Sequence, residues 1–142
     1  DHANTAEVLI DALDADLQTG CSAKTLILLQ PTSPLRSVED IRASLEQYQH
    51  SGEDDTVVSV CEVDHPTAWI GTINDSGHLN GLDLTGKRSQ DYQTEYRLNG
   101  AVYVISVKTL RETGCLFTNR LRAYVMPRAR SIDIDDTIPD PK

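Results

Sequence analysis

The run Leu28-Leu29-Gln30-Pro31-Thr32-Ser33-Pro34-Leu35-Arg36 constrains this chain more than any other stretch. An apolar segment from Thr25 to Leu29 stops abruptly in Gln, Pro, Thr, Ser and Pro. A helical pattern resumes at Ser37. The spacing predicts a buried strand opening at its C-terminal end into a stiff polar loop. Each proline fixes its own φ and biases the preceding residue toward extended geometry. Gln30, Thr32 and Ser33 are then presented from a rigid loop at a strand's carboxyl end, where open α/β sheets bind ligands. An ordinary strand-to-helix connection fits the same residues.

The flanking patterns give the fold class. Val8, Leu9, Ala12, Leu13 and Leu17 recur at helical spacing after Asn4-Thr5-Ala6-Glu7, which reads as a capping box, and Gly20 closes that helix. Ser37-Val38-Glu39-Asp40 caps a second helix with Ile41, Leu45 and Tyr48 on one face. Thr56–Val60 is β-branched and reads as a second strand, parallel to the first. Strand–helix–strand alternation predicts βαβ units in a parallel sheet. The pattern then breaks. Trp69–Ile73 and Leu79–Leu82 flank Asn74-Asp75-Ser76-Gly77, a turn signal, so a hairpin is expected. Residues 83–96 are polar and without clear period. Ala101–Ser106 is a strand, Val107–Thr113 a short helix closed by Gly114, and Arg122–Met126 a last strand that Ile132–Ile134 extends or follows.

With 142 residues the chain makes one domain, 1–142, with room for a core. No apolar run approaches the roughly 20 residues that span a bilayer, and no membrane partner is expected. Cys21, Cys61 and Cys115 are odd in number and form no zinc pattern, which fits reduced thiols in a cytoplasmic protein. The net charge of −9 argues against a nucleic-acid partner. The charge is uneven: acids crowd residues 1–86, where only Lys24, Arg36 and Arg42 are basic, and bases crowd residues 87–130. Such a segment can focus field on a small anion. Solvated surface charge is the plainer account for most of Lys108, Arg111, Arg120, Arg122, Arg128 and Arg130.

Two further motifs follow the proline loop: Arg97-Leu98-Asn99-Gly100-Ala101-Val102-Tyr103-Val104 and Ser131-Ile132-Asp133-Ile134-Asp135-Asp136. On an extended segment, Asp133 and Asp135 fall on one side, and Ile132 and Ile134 face the core. An acidic solvent-exposed tail fits the pattern equally. Asp133 to Ile138 also resembles the first motif of haloacid-dehalogenase-type phosphatases, but only Pro139 to Lys142 follow, so that reading is rejected.

In the order LLQPTSPLR, YRLNGAVYVI, SIDIDD, the chain resembles the acylneuraminate cytidylyltransferase family, which makes CMP-sialic acid and related CMP-activated nonulosonates. The resemblance implies a Rossmann-like three-layer α/β/α fold of the nucleotide-sugar transferase kind. It implies cytidylyl transfer from CTP to a nonulosonate sugar acid, with pyrophosphate as leaving group. Asp133 and Asp135 are then the ligands of Mg2+ or Mn2+, and Asp136 a weaker candidate. Gln30 contacts the acyl sugar; Arg88 and Arg97 contact its carboxylate or the phosphates, with guanidinium forks suited to both. Asn99 offers its amide to the sugar, although Asn-Gly is also a common turn pair. Tyr103 is a pocket wall or a core aromatic. Residues 61–98 are expected to be an arm reaching across a homodimer, with Trp69 a packing residue or a dimer anchor. His65 is given no role. The family's Gly-, Arg- and Lys-rich CTP loop does not precede Gln30 here. The expectation is therefore an N-terminally incomplete domain, inactive as it stands. The alternatives are a non-catalytic sugar-binding, dimerising domain, or a sister enzyme for legionaminic, pseudaminic or another 3-deoxy sugar acid.

Overall fold

The computed structural model describes residues 2–52, 55–85 and 92–134. In chain order the elements are α1 (His2–Gln18), β1 (Thr25–Leu28), α2 (Val38–Ser51), β2 (Thr56–Glu62), β3 (Thr72–Ile73), β4 (Leu79–Asn80), β5 (Tyr96–Ser106), α3 (Val107–Thr113) and β6 (Leu121–Val125). Single turns of 3-10 helix lie at Thr67–Trp69 and Arg128–Arg130.

Four strands form one sheet in the order β1-β5-β2-β6. β5 runs antiparallel to both β1 and β2, and β6 runs parallel to β2. The expected parallel sheet is thus corrected to a mixed one. β1 and β2 do point the same way, joined through α2, but β5 lies between them. Helices cover both faces, which gives the three-layer α/β/α arrangement. Alternation along β5 divides the core. Tyr103 and Ile105 pack with Val58, Val60, Ala6, Leu13, Val107 and Leu110 beneath α1 and α3. Val102 and Val104 pack with Val57, Tyr48 and Met126 beneath α2. Fully burying each such aliphatic side chain contributes about 1.5–3 kcal/mol.

Local signals account for most element ends. Ser37 caps α2: its hydroxyl accepts from the Asp40 N–H, and the Asp40 carboxylate accepts from the Ser37 N–H. Gly114, at φ 65°, ends α3 by donating to the Leu110 carbonyl at 2.8 Å. The Asn74 side chain accepts from the Ser76 and His78 N–H groups and closes the β3–β4 hairpin, a two-stranded sheet of its own. α1 differs from expectation. It begins at His2 rather than after Asn4, and its inward stripe is Ala6, Leu9, Ile10 and Leu13, with Val8 and Leu17 exposed. No helix among the described residues is long and apolar enough to cross a membrane.

The charge segregation has a structural outcome. Arg111 pairs with Asp14, Arg120 and Arg122 with Asp55, Arg128 with Asp64, and Arg130 with Asp40. Bases of the second half neutralise acids of the first across the fold. These arginines are at least partly solvent-exposed, as expected of surface charge, but each is also ion-paired.

Candidate functional site

The carboxyl ends of β1, β2 and β6 lie at one end of the sheet, beside the N-terminal half of β5. There β5 departs from regular pairing. Val58 faces Tyr103 and Val60 faces Leu98, so the single residue Ser59 spans Asn99, Gly100, Ala101 and Val102. This bulge is built from side chains. The Asn99 carbonyl oxygen accepts from the Ser59 hydroxyl at 2.6 Å and the Ala101 N–H at 3.2 Å. The Asn99 amide nitrogen donates to Ser131 Oγ at 3.0 Å and to Met126 Sδ at 3.4 Å. The Val102 N–H donates to Ser59 Oγ at 2.8 Å. Asn99 is 4% exposed. Its amide holds the bulge and anchors Ser131 rather than projecting from a turn.

Gly100 sits at φ 72°, a region that strongly favours glycine. A Cβ there would run into the side-chain oxygen of Gln30 and lie 3.8 Å from the Tyr103 hydroxyl. The bulge thus brings Gln30, Gly100 and Tyr103 together. Tyr103 is buried, edge-on to Phe117 at 5.8 Å. Burial, then the nearby charge of Asp133, pushes its phenol up from the ordinary value. Arg36 fastens the proline loop to this end: its Nη1 donates to the Gln30 carbonyl at 2.9 Å and the Ala101 carbonyl at 2.8 Å.

The C-terminal segment arrives from the other side. After β6 the 3-10 turn leads to Ser131, whose hydroxyl donates to the Pro127 carbonyl at 2.8 Å. The Ile134 N–H donates to the Thr32 carbonyl at 3.0 Å, laying the segment beside the proline loop. Asp133 is half-buried. Ile132 and Ile134 are 55% and 59% exposed, so the expected strand with inward isoleucines does not form. Asp133 joins Arg97, Arg128, Glu62, Asp64, Ser131 and Ile132 around a cleft of about 320 Å³. Arg97 is exposed, with Nη1 3.4 Å from the Leu98 carbonyl.

The structure therefore brings Gln30, Tyr103, Asn99, Asp133 and Arg97 to one end of the sheet. Arg88, Asp135 and Asp136 lie outside the described residues. Among the described residues, no three His, Cys, Asp or Glu side chains gather to enclose a metal. Asp133 fits as one ligand of a hard cation, because magnesium takes one or two carboxylates and keeps several waters.

Sequence reading missed two groups here. Asp40 is fully buried and accepts from Arg130 Nη2 at 2.7 Å and from the Tyr124 hydroxyl at 2.9 Å. Burial acts to raise its carboxyl, but the bonds from Arg130, Ser37 and Tyr124 together outweigh it and hold it well below the usual range. Ser33, in the proline loop, is 2% exposed, and its hydroxyl has no hydrogen-bond partner among the described residues. The Asp40 role had one visible signal, the Ser37–Asp40 cap.

A mixed sheet between helix layers, with polar loops gathered at its carboxyl end, is a Rossmann-like α/β architecture. No family model matches the chain. It is 34% identical over 139 residues, 95% of its length, to N-acylneuraminate cytidylyltransferase of Streptococcus agalactiae serotype V. It is 32% identical over 114 residues, 80% of its length, to N-acylneuraminate cytidylyltransferase of Escherichia coli. It is 30% identical over 142 residues, 97% of its length, to CMP-N,N'-diacetyllegionaminic acid synthase of Legionella pneumophila. By this similarity the chain belongs to the acylneuraminate cytidylyltransferase family. It spans 32% of the streptococcal protein, 27% of the Escherichia coli protein and 60% of the Legionella protein.

Proposed function

We propose that this chain provides the sugar-binding and metal-binding part of a cytidylyltransferase that joins CMP from CTP to a nonulosonate sugar acid and releases pyrophosphate. The observation that carries the reading is the meeting of Gln30, Tyr103 and Asp133 at the strand ends, in a chain whose relatives are named for this chemistry. The sugar's anomeric hydroxyl attacks the α-phosphorus of CTP, and the developing charge on phosphate oxygen sets what the protein must supply.

Each residue has a chemically suited task. The Gln30 amide carries donors and an acceptor, which match sugar hydroxyls and an N-acyl group. Arg97 extends an exposed guanidinium into the Asp133 cleft, where it meets the sugar carboxylate. Tyr103 forms the wall under Gln30. Asp133, with Asp135, holds Mg2+ or Mn2+; when bound, that cation neutralises phosphate charge and orients the reactants. Arg88 is a further anion contact on the same reading. The β3–β4 arm pairs two copies into a homodimer. The sugar is sialic acid or a sister such as legionaminic or pseudaminic acid.

These 142 residues by themselves are proposed to make no CMP-sugar. A triphosphate needs several N–H groups and cations in one loop. Of the bases before position 87, Arg36 is spent on two backbone carbonyls, and Arg42 lies 3.6 Å from Glu39 on an exposed face of α2. Lys24 precedes β1, at the opposite end of the sheet.

The test is ligand-observed NMR of sialic and legionaminic acids with the purified chain, with and without Mn2+, plus a pyrophosphate-release assay with CTP. Sugar binding weakened by Gln30→Ala and Arg97→Ala is expected, with no pyrophosphate above background. Binding indifferent to both substitutions would remove the site. Pyrophosphate release that Asp133→Asn abolishes would overturn the inactivity.

A further inference from the structure

Asp133 does not stand on a regular element. It lies three residues past Arg130, on a segment with no strand partner among the described residues, and yet it is half-buried. Among its contacts, three come from neighbouring parts of the fold. The Asn99 amide reaches Ser131 from the β5 bulge. The Thr32 carbonyl, in the proline loop, accepts from the Ile134 N–H. Asp40, in the first turn of α2, grips Arg130 through two bonds: Nη2 to Oδ1 at 2.7 Å and Nε to Oδ2 at 3.2 Å.

The third contact does more than cap a helix. Asp40 already completes the α2 cap through Ser37, and its carboxylate is fully buried. Burying a carboxylate is costly unless it is paired and fully hydrogen-bonded. Asp40 meets that condition with Ser37, Tyr124 and Arg130. A fork gripping a guanidinium through two nitrogens fixes direction as well as distance. The turn at Arg128–Arg130 therefore leaves the sheet at a set angle, and the next residues run to the proline loop.

We propose that Asp40 is a positioning residue for the candidate site: by gripping Arg130 it sets the departure of Ser131–Ile134 and so holds Asp133 beside Tyr103 and the proline loop. This rests on the reading of Asp133 as the site's carboxylate. It links the N-terminal turn of α2 to a residue 93 positions later in sequence, through one ion pair.

The experiment uses the whole chain and four variants: Asp40→Asn, Arg130→Gln, Arg130→Lys and Asp133→Asn. Amide hydrogen exchange is followed at Ile134 and across the β5 core, and Mn2+ alone is titrated by water-proton relaxation. In Asp40→Asn and Arg130→Gln the loss of a buried pair lowers protection generally, and the Ile134 amide should lose at least about tenfold more protection than the β5 core does, as a local opening does. Arg130→Lys, which keeps one charged bond, should recover part of the protection. Mn2+ should bind Asp40→Asn as weakly as Asp133→Asn. Unchanged Ile134 exchange in both variants overturns the proposal, as does a loss at Ile134 no greater than that throughout β5, which would make Asp40 a general stabiliser alone. No recovery with Arg130→Lys, or wild-type Mn2+ binding in Asp40→Asn where Asp133→Asn loses it, also overturns it. Equal Mn2+ binding by wild type and Asp133→Asn removes the metal reading alone, because the Ile134 measurement involves no metal.

Discussion

The side-chain amide of Gln30 occupies the space that a Cβ on Gly100 would need. The two residues are 70 positions apart, and their contact joins the proline loop to the β5 bulge. Gly100→Ala therefore meets two obstacles: a backbone at φ 72°, which costs a side-chain-bearing residue about 1–2 kcal/mol, and the Gln30 amide. Urea unfolding should show a loss of at least that size. Gln30→Ala in the same chain should return only the steric part, leaving the conformational cost. A fully stable Gly100→Ala protein would mean that the bulge is not held as described.

Asn99 makes four side-chain bonds inside the bulge, to Ser59, Ala101, Ser131 and Met126. Asn99→Ala leaves Ser59, Ser131 and the Ala101 N–H without that partner in a buried space. Each orphaned group costs about 1–3 kcal/mol. A total loss of about 3 kcal/mol is expected in chemical denaturation. Ser59→Ala should cost less, and the pair should be non-additive because both act in one network. Simple additivity would show that the two residues stabilise the fold independently.

These relationships mark the limit of what the sequence reveals. α2 is legible because its signals are local: Ser37 and Asp40 are three residues apart, and Ile41, Leu45 and Tyr48 follow the helical period. The hairpin is legible from Asn74 and Gly77 for the same reason. The direction of β5 is not, since a β-branched run reads alike in both directions. Asn99-Gly100 looks like a turn because the partner that makes it a bulge, Ser59, is 40 residues away. Asp133 and Asp135 suggest an extended segment with isoleucines inward, but alternation buries a side chain only where a sheet supplies a face. Among the described residues the segment at 131–134 pairs with no strand, and Ile132 and Ile134 are exposed. The Asp40–Arg130 pair spans 90 positions and leaves no periodic trace.

Asp40 should shape the acid limb of stability. Its folded pKa is depressed below the ordinary 3.8. Its contribution is therefore present in full above that value and is lost as pH falls toward the folded value. Unfolding free energy should drop as pH falls below about 4, and Asp40→Asn should flatten this limb. Tyr124 acts oppositely. Burial, then its bond to Asp40, pushes its phenol up to about 12 from 10.0. Its contribution is complete below pH 10 and fades as pH rises toward 12. Tyr124→Phe should flatten the alkaline limb. Equal pH slopes in wild type and both variants would show that neither group is linked to folding.

The β3–β4 arm carries the last prediction. Its root is tied down: Glu95 accepts from the Thr67 N–H and hydroxyl, and the Asp83 N–H donates to the Ala68 carbonyl at 2.8 Å. Trp69 stacks with His65 and meets Tyr92 edge-on, at ring distances of 6.2 and 6.3 Å. Beyond that root, Ile70, Ile73, Leu79 and Leu84 are exposed. A two-stranded hairpin is marginal in water without a packing surface, and apolar patches of this kind mark interfaces. A second copy supplies such a surface on the proposed homodimer reading. Light scattering should report a dimer at micromolar concentration, and Trp69 fluorescence should shift on dilution. Ile73→Glu with Leu79→Glu should yield a folded monomer. A wild-type chain that is monomeric throughout that range, with Trp69 fluorescence unchanged, removes the arm as an association surface.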